Sequence, residues 1–233
     1  MHAALPVVLI PGLLCSPRFY AAQIPALWRS GPVTVADHTR DDSMTGIAKR
    51  ILADAPPRFA LAGHSMGGYI AFEILRQAPD RVARLALLDT SARADTAEQT
   101  AKRKEQIAQA QAGHFGEIPD LLYPNFVHPG RREDAALRGI VHAMAEDAGA
   151  EAFVRQLTAI MQRPDSLPGL PAIRCPTLVL VGDQDVPTPP ERAAEIAAGI
   201  AGARLVTIPD CGHLSAIEQP EAVTQALEAW LRG

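Results

Sequence analysis

Six consecutive residues, Gly63-His64-Ser65-Met66-Gly67-Gly68, constrain this chain more than any other feature. They follow a short apolar run, Phe59–Gly63, and open a segment, Gly67–Gln77, with Ile70, Ile74 and Leu75 at helical spacing. G-x-S-x-G between a strand and a helix describes a turn so tight that its serine takes up a strained backbone. Glycines two before and two after the serine relieve the clash between strand and helix. The serine oxygen then stands beside the N–H groups that open a helix, where the positive end of the dipole lies. That is a setting for a nucleophile; the bland alternative is an ordinary glycine turn.

The rest of the chain supplies a frame for such a turn. Short runs rich in Val, Leu and Ile, closed by turn residues, predict buried strands at Pro6–Ile10, Phe59–Gly63, Leu85–Leu88 and Thr177–Val181. Weaker ones lie at Val33–Ala36 and Leu205–Ile208. Helical patterns alternate with them: Phe19–Trp28 with a kink or boundary at Pro25, Ser43–Asp54 behind the N-cap Ser43, Gly67–Gln77, Pro190–Ala201 and Ser215–Leu231. Alternation of this kind predicts βαβ units and a mostly parallel sheet. From about 92 to 166 the strand signal disappears, and three or four helices are expected instead. Because strands return after Arg174, the expected organisation is an α/β core of residues 1–91 and 167–233 with a helical insertion of 92–166. An all-α second half is the alternative.

Composition narrows the function classes. Of 233 residues, 48% are apolar and 21% charged, which excludes a disordered chain and a charge-rich coiled coil. Lys and Arg number 22 against 26 Asp and Glu, a net charge of −4 without a basic run, so no nucleic-acid partner is expected. Cys15, Cys175 and Cys211 are too few and too scattered for a disulfide framework or a zinc site, and reduced thiols suit the cytoplasm. The opening apolar run MHAALPVVLIPGLL has no basic flank and is interrupted by Pro11-Gly12. It reads neither as a signal peptide nor as a membrane span, so a cytoplasmic location without a membrane partner is expected. Oligomeric state is left open.

A serine hydroxyl needs a base, and the base needs orienting. Of the seven histidines, His213 sits after Gly212 in a loop between the last strand and the final helix. His64 adjoins the serine but points away from it across the turn, and His114, His128 and His142 fall in the helical stretch as solvated side chains. His2 and His38 precede the serine. The loop after the preceding strand, Gly182-Asp183-Gln184-Asp185-Val186-Pro187-Thr188-Pro189, offers two acids. The resulting order Ser…Asp…His is one of the known chain orders for such a triad.

On Ile10-Pro11-Gly12-Leu13-Leu14, Gly63 to Gly68, and the Gly182–Pro189 loop with Gly212-His213, the chain resembles the α/β-hydrolase superfamily, of the lipase/esterase-like kind with a helical cap. The resemblance spans nearly the whole chain. It implies an α/β-hydrolase fold, with a sheet of about six strands because little chain precedes the first one. It assigns the acid to Asp185, three residues after the glycine and followed by Thr-Pro; Asp183 is a rival, read otherwise as a turn cap, and Asp89 is another. Backbone N–H groups of Leu13 and Met66 would form the oxyanion hole. The family's usual His-Gly-x is Pro11-Gly12-Leu13 here, which removes a support of that loop but not the donor.

The activity implied is hydrolysis of a small or medium carboxylic ester, lactone or thioester through an acyl-enzyme on Ser65, with Asp185 and His213 assisting. A small-molecule acyl substrate is the partner, and neither cofactor nor metal is implied, since Asp183 and Asp185 alone are too few for a cation. The same residues would serve a carbon–carbon bond hydrolase, a haloperoxidase-like perhydrolase or an acyltransferase; a non-catalytic ligand-binding protein of this fold is a further alternative. Phe115, Phe126, Met144, Phe153 and Met161 are candidate pocket residues, with plain packing as the competing reading. Cys15 and Cys211 should lie on loops that converge on the site, as packing residues or as thiols whose modification inhibits.

Overall fold

A strand covered on both faces has no use for polar alternation, and the inner strands here carry none. A computed structural model describes residues 5–233; His2 lies outside the described residues. Strands β1 (Val7–Ile10), β2 (Val33–Val35), β3 (Phe59–His64), β4 (Val82–Leu88), β5 (Thr177–Gly182) and β6 (Arg204–Ile208) form one parallel sheet in the order β2-β1-β3-β4-β5-β6. β1, β3 and β5 are buried at every position, whereas the edge strands β2 and β6 are partly exposed.

The helices in chain order are α1 (Ile24–Trp28), α2 (Met44–Asp54), α3 (Met66–Gln77), α4 (Ala97–Gln109), α5 (Ile118–Phe126), α6 (Ala135–Ala148), α7 (Ala150–Met161), α8 (Pro190–Gly199), α9 (Ser215–Glu218) and α10 (Pro220–Arg232). Alternate strand residues feed two cores. Val8, Ile10, Leu61, Leu87 and Val179 pack with Ile47, Ile70 and Ile196 of α2, α3 and α8. Val7, Leu9, Ala62, Leu88 and Leu180 pack with Leu27, Leu227 and Trp230 of α1 and α10. The period of two along each strand thus splits the apolar runs between the two faces.

Prolines move several helix boundaries away from the sequence expectation. Phe19–Trp28 is not one helix: a single tight turn, Pro17–Tyr20, is followed by α1, and Pro25 stands in the first turn of α1. Ser215–Leu231 divides in the same way, because Pro220 cannot donate into a continuing helix and instead starts α10. Between β4 and β5 the described chain holds α4 to α7 and no strand. Thr96 opens α4 with a capping box to Gln99, and the turn beyond its end closes at Gly113, φ 91°. The two ends of this helical stretch meet, with Ser166 N–H donating to the Ala92 carbonyl at 2.7 Å. Its side chains extend both cores, Phe153, Leu157 and Ile160 on one side and Tyr123, Leu137 and Met144 on the other.

Candidate active site

β3 runs straight into α3 through Ser65, whose φ of 52° and ψ of −113° lie outside the regions L-residues favour. A conformation of this kind costs about 1–3 kcal/mol and persists only where neighbours enforce it. Here Ser65 N–H donates to the Leu88 carbonyl at 2.9 Å, and the Ser65 carbonyl accepts from Thr90 Oγ1 at 2.7 Å. A Cβ on Gly67 would collide with the backbone carbonyls of Ile10 and Pro11, and one on Gly63 with the Gly67 backbone. The glycines therefore let β1, β3 and α3 close up around the serine.

Ser65 Oγ lies 2.9 Å from His213 Nε2. On the other side of the ring, Nδ1 lies 2.9 and 3.0 Å from the two carboxylate oxygens of Asp185. Facing that carboxylate, Nδ1 carries the ring proton, and Nε2 accepts from the serine O–H. Asp185 is itself held by Thr188, whose N–H and hydroxyl each donate to it at 2.8 Å. Both His213 and Asp185 are buried. Burial pulls the imidazole pKa down, but the charge and hydrogen bond of Asp185 outweigh it, and His213 titrates above the ordinary histidine value.

The rival acids are engaged elsewhere. Asp183 Oδ1 accepts from the Cys211 N–H at 3.1 Å, tying two loops together. Asp89 is fully buried and accepts hydrogen bonds from Gly182 N–H at 2.9 Å and from the Ser215 hydroxyl. Burial and the neighbouring Asp185 charge push its pKa well up.

Leu13 and Met66 flank the serine on the β1 loop and at the first residue of α3. Neither N–H donates to another group among the described residues. The β1 loop presses against the turn, since a Cβ on Gly12 would come within 2.7 Å of His64 Nδ1 and 3.2 Å of Ser65 Cβ.

Four supports were not found by sequence reasoning. His38 Nε2 donates to the Gly12 carbonyl at 2.8 Å, so the loop that lacks the family's histidine is braced by another one. Burial pulls the His38 pKa down, against the bond to the Gly12 carbonyl, which pushes it up. His64 packs against Phe19 and donates from Nε2 to the His213 carbonyl at 2.8 Å. Burial and the nearby His213 push its pKa well down. The buried Glu218 accepts from Gly212, Leu214 and His128 N–H groups at 3.1, 3.2 and 2.7 Å, so it pins the His213 loop to the end of α5. Gln156 of α7 accepts from Leu14 N–H at 3.2 Å, linking the helical stretch to the β1 loop.

Over Ser65 and His213 lies a cleft of about 180 Å³. Phe126 and Ile160 reach it from the helical stretch. Of the other expected pocket residues, the partly buried Phe115 packs at a tilt against Phe153 in the core, Met144 borders a separate small void, and Met161 lies outside the cleft. Apolar spacing on a helix marks a buried face without saying whether protein or ligand covers it. His114 and His142 pair with Glu117 and Asp120 at the surface, and His128 caps the turn at Gly130. Cys15 lines the cleft but is buried, which pushes its pKa up to about 12; Cys211 is buried too, and its thiol is also pushed up. Neither is a ready thiolate. Among the described residues no cluster of His, Cys, Asp and Glu could hold a metal ion, and no helix is long and apolar enough to cross a membrane.

A family model described as the alpha/beta hydrolase family matches residues 7–226. The chain belongs to the alpha/beta hydrolase family. A thermophilic esterase from Thermogutta terrifontis superposes with a TM-score of 0.89 at 32% identity, over 98% of this chain and 89% of its own. The pimeloyl-[acyl-carrier protein] methyl ester esterase of Aromatoleum aromaticum is 26% identical, over 97% of this chain and 98% of its own. The enol-lactonase of Burkholderia xenovorans LB400 has a TM-score of 0.88 at 24% identity, over 99% and 92% of the two chains, and shows the shared fold.

Proposed function

We propose that this alpha/beta hydrolase cleaves a small or medium carboxylic ester, lactone or thioester through an acyl-enzyme on Ser65. One observation carries the reading: the unbroken hydrogen-bonded line from Ser65 Oγ through the His213 ring to Asp185. The similarity to the two esterases supports it.

Ser65 Oγ attacks the carbonyl carbon while Nε2 of His213 takes its proton. Asp185 holds the ring with its proton on Nδ1 and stabilises the imidazolium that forms. The N–H groups of Leu13 and Met66 receive the developing oxyanion, a contribution of about 3–4 kcal/mol per donor in comparable sites. His213 returns the proton to the leaving alcohol. Water, deprotonated by the same nitrogen, then releases the acid. We read residues 92–166 as a helical cap that closes the cleft and limits water, from the reach of Phe126 and Ile160 into it and the Gln156 bond to the β1 loop.

Stopped-flow hydrolysis of p-nitrophenyl acetate tests the reading. The wild type should release a burst of p-nitrophenol stoichiometric with enzyme. Ser65→Ala should keep the fold by circular dichroism and lose about 10⁴-fold or more in kcat. Wild-type turnover by Ser65→Ala would reject Ser65 as the nucleophile.

A further inference from the structure

The cleft over Ser65 carries more positive charge than its hydrolytic chemistry needs. Arg93, Arg103, Arg163 and Arg192 all line it. Only two carboxylates answer them, and each is shared. Asp95, almost fully buried, accepts from Arg163 at 2.6 Å and from Arg103 at 2.7 Å. Glu195 pairs with Arg93 at 2.6 Å and lies 3.6 Å from Arg192. The walls therefore hold an excess of two positive charges in a chain whose net charge is −4. Ser91, Thr96 and Gln99 in the same lining are uncharged.

Arg163 is the most constrained of the four. Its guanidinium is buried, sits 4.1 Å above the Tyr69 ring, and donates from Nε to the Arg93 carbonyl and from Nη1 to Asp95 and the Ile160 carbonyl. Its Nη2 and the Nη1 of Arg103 donate to no group among the described residues. A guanidinium fixed by packing on one side and open on the other matches the fork of a carboxylate. The strand order places this basic wall, built from the segments after β4 and β5, on the opposite side of the β3 turn from the Leu13 loop.

We propose that the substrate is an anionic ester, a carboxylic ester or lactone whose non-reacting end bears a carboxylate that docks against Arg163 and Arg103. This rests on the reading of Ser65 as the nucleophile. The carboxylate is a spectator: the acyl C–O bond breaks, water supplies hydroxyl to the acyl carbon and a proton to the alcohol, and the distal charge is unchanged.

The test compares monomethyl esters of straight-chain dicarboxylic acids, in a series of increasing length, with the methyl alkanoates that carry a methyl group in place of the free carboxylate. For the best length, the ratio of kcat/KM, anionic over neutral, should be at least about tenfold, the worth of a charge-assisted hydrogen bond. Added sodium chloride should reduce it. Arg103→Gln, which leaves Asp95 paired with Arg163, should lower the ratio about tenfold. Arg163→Gln should lower it further if it folds, and Arg29→Gln, outside the cleft, should leave it unchanged. A wild-type ratio at or below one, or a ratio that neither cleft variant lowers, overturns the proposal. Ser65→Ala separates the two readings. Hydrolysis that depends on Ser65 but shows no charge preference overturns the anionic substrate alone, whereas hydrolysis that survives Ser65→Ala overturns the nucleophile.

Discussion

The sheet and the helical stretch meet over Ser65 but contribute in different ways. The sheet side is fixed by backbone conformation and by bonds to backbone: a serine at positive φ, glycines with no room for a methyl, and loop N–H groups held by the carboxylates of Asp183, Asp89 and Glu218. The helical stretch supplies none of Ser65, His213 and Asp185. It offers side chains that line the cleft, Phe126, Arg103, Ile160 and Arg163. Reactivity needs one geometry, whereas selectivity needs only complementary shape and charge, so the first leaves a motif and the second does not.

The strongest way to break this contrast is to ask whether the two acids of the loop after β5 are interchangeable. Asp185→Asn should cost about 10³–10⁴-fold in kcat, because the amide can no longer hold the ring proton on Nδ1. Asp183→Asn keeps an oxygen for the Cys211 N–H and should stay within a few-fold of wild type in the same assay. Equal losses would mean that loop support, not ring orientation, is being measured.

Glycines sharpen the contrast in stability. Gly67→Ala should destabilise by about 1–3 kcal/mol in urea unfolding, since the new methyl meets the β1 carbonyls. Gly139, inside α6 with nothing near its Cβ position, should behave in the opposite way: Gly139→Ala should stabilise by about 0.5–1 kcal/mol.

The pH profile gives a subtler readout. His213 must be neutral to accept the serine proton, so kcat/KM should rise with pH along an acid limb centred above about 6.5, the ordinary histidine value. In Asp185→Asn the residual activity should show that limb at lower pH. Stability runs with His38 and His64, whose folded pKa values are depressed. Their contribution is intact above about 6.5 and is lost as pH falls from there toward the folded values, because the unfolded chain binds those protons more readily. His213, Asp89 and Glu218, whose folded values are raised, work the other way, so the effect is read as a difference: the stability gap between wild type and His38→Asn should narrow as pH falls from about 7 to 5, and a gap that stays constant would contradict the burial of a neutral His38.

Much of the sheet is legible in the sequence because a buried parallel strand is a local signal: β3 and β5 stand within a residue of their expected limits. The Ser65 turn is legible for the same reason, as strand, glycines and helix are contiguous. His38 and Gln156 are not, because their partners lie far along the chain, and neither is the tie of Glu218 to His128, 90 residues away. The arginine wall is hidden for another reason: each arginine by itself looks like an ordinary solvated residue, and only the fold gathers four of them around two carboxylates. Proline is the remaining source of error, dividing Ser215–Leu231 at a position where apolar periodicity runs through without a break.

The central claim is that one serine, activated through His213, carries the chemistry. Labelling with a fluorophosphonate, followed by peptide mass mapping, tests it most directly. The account predicts a single adduct on Ser65, formed in step with loss of esterase activity and greatly slowed in His213→Ala. Full activity with Ser65 completely labelled, or inactivation with the adduct on another residue, would contradict it.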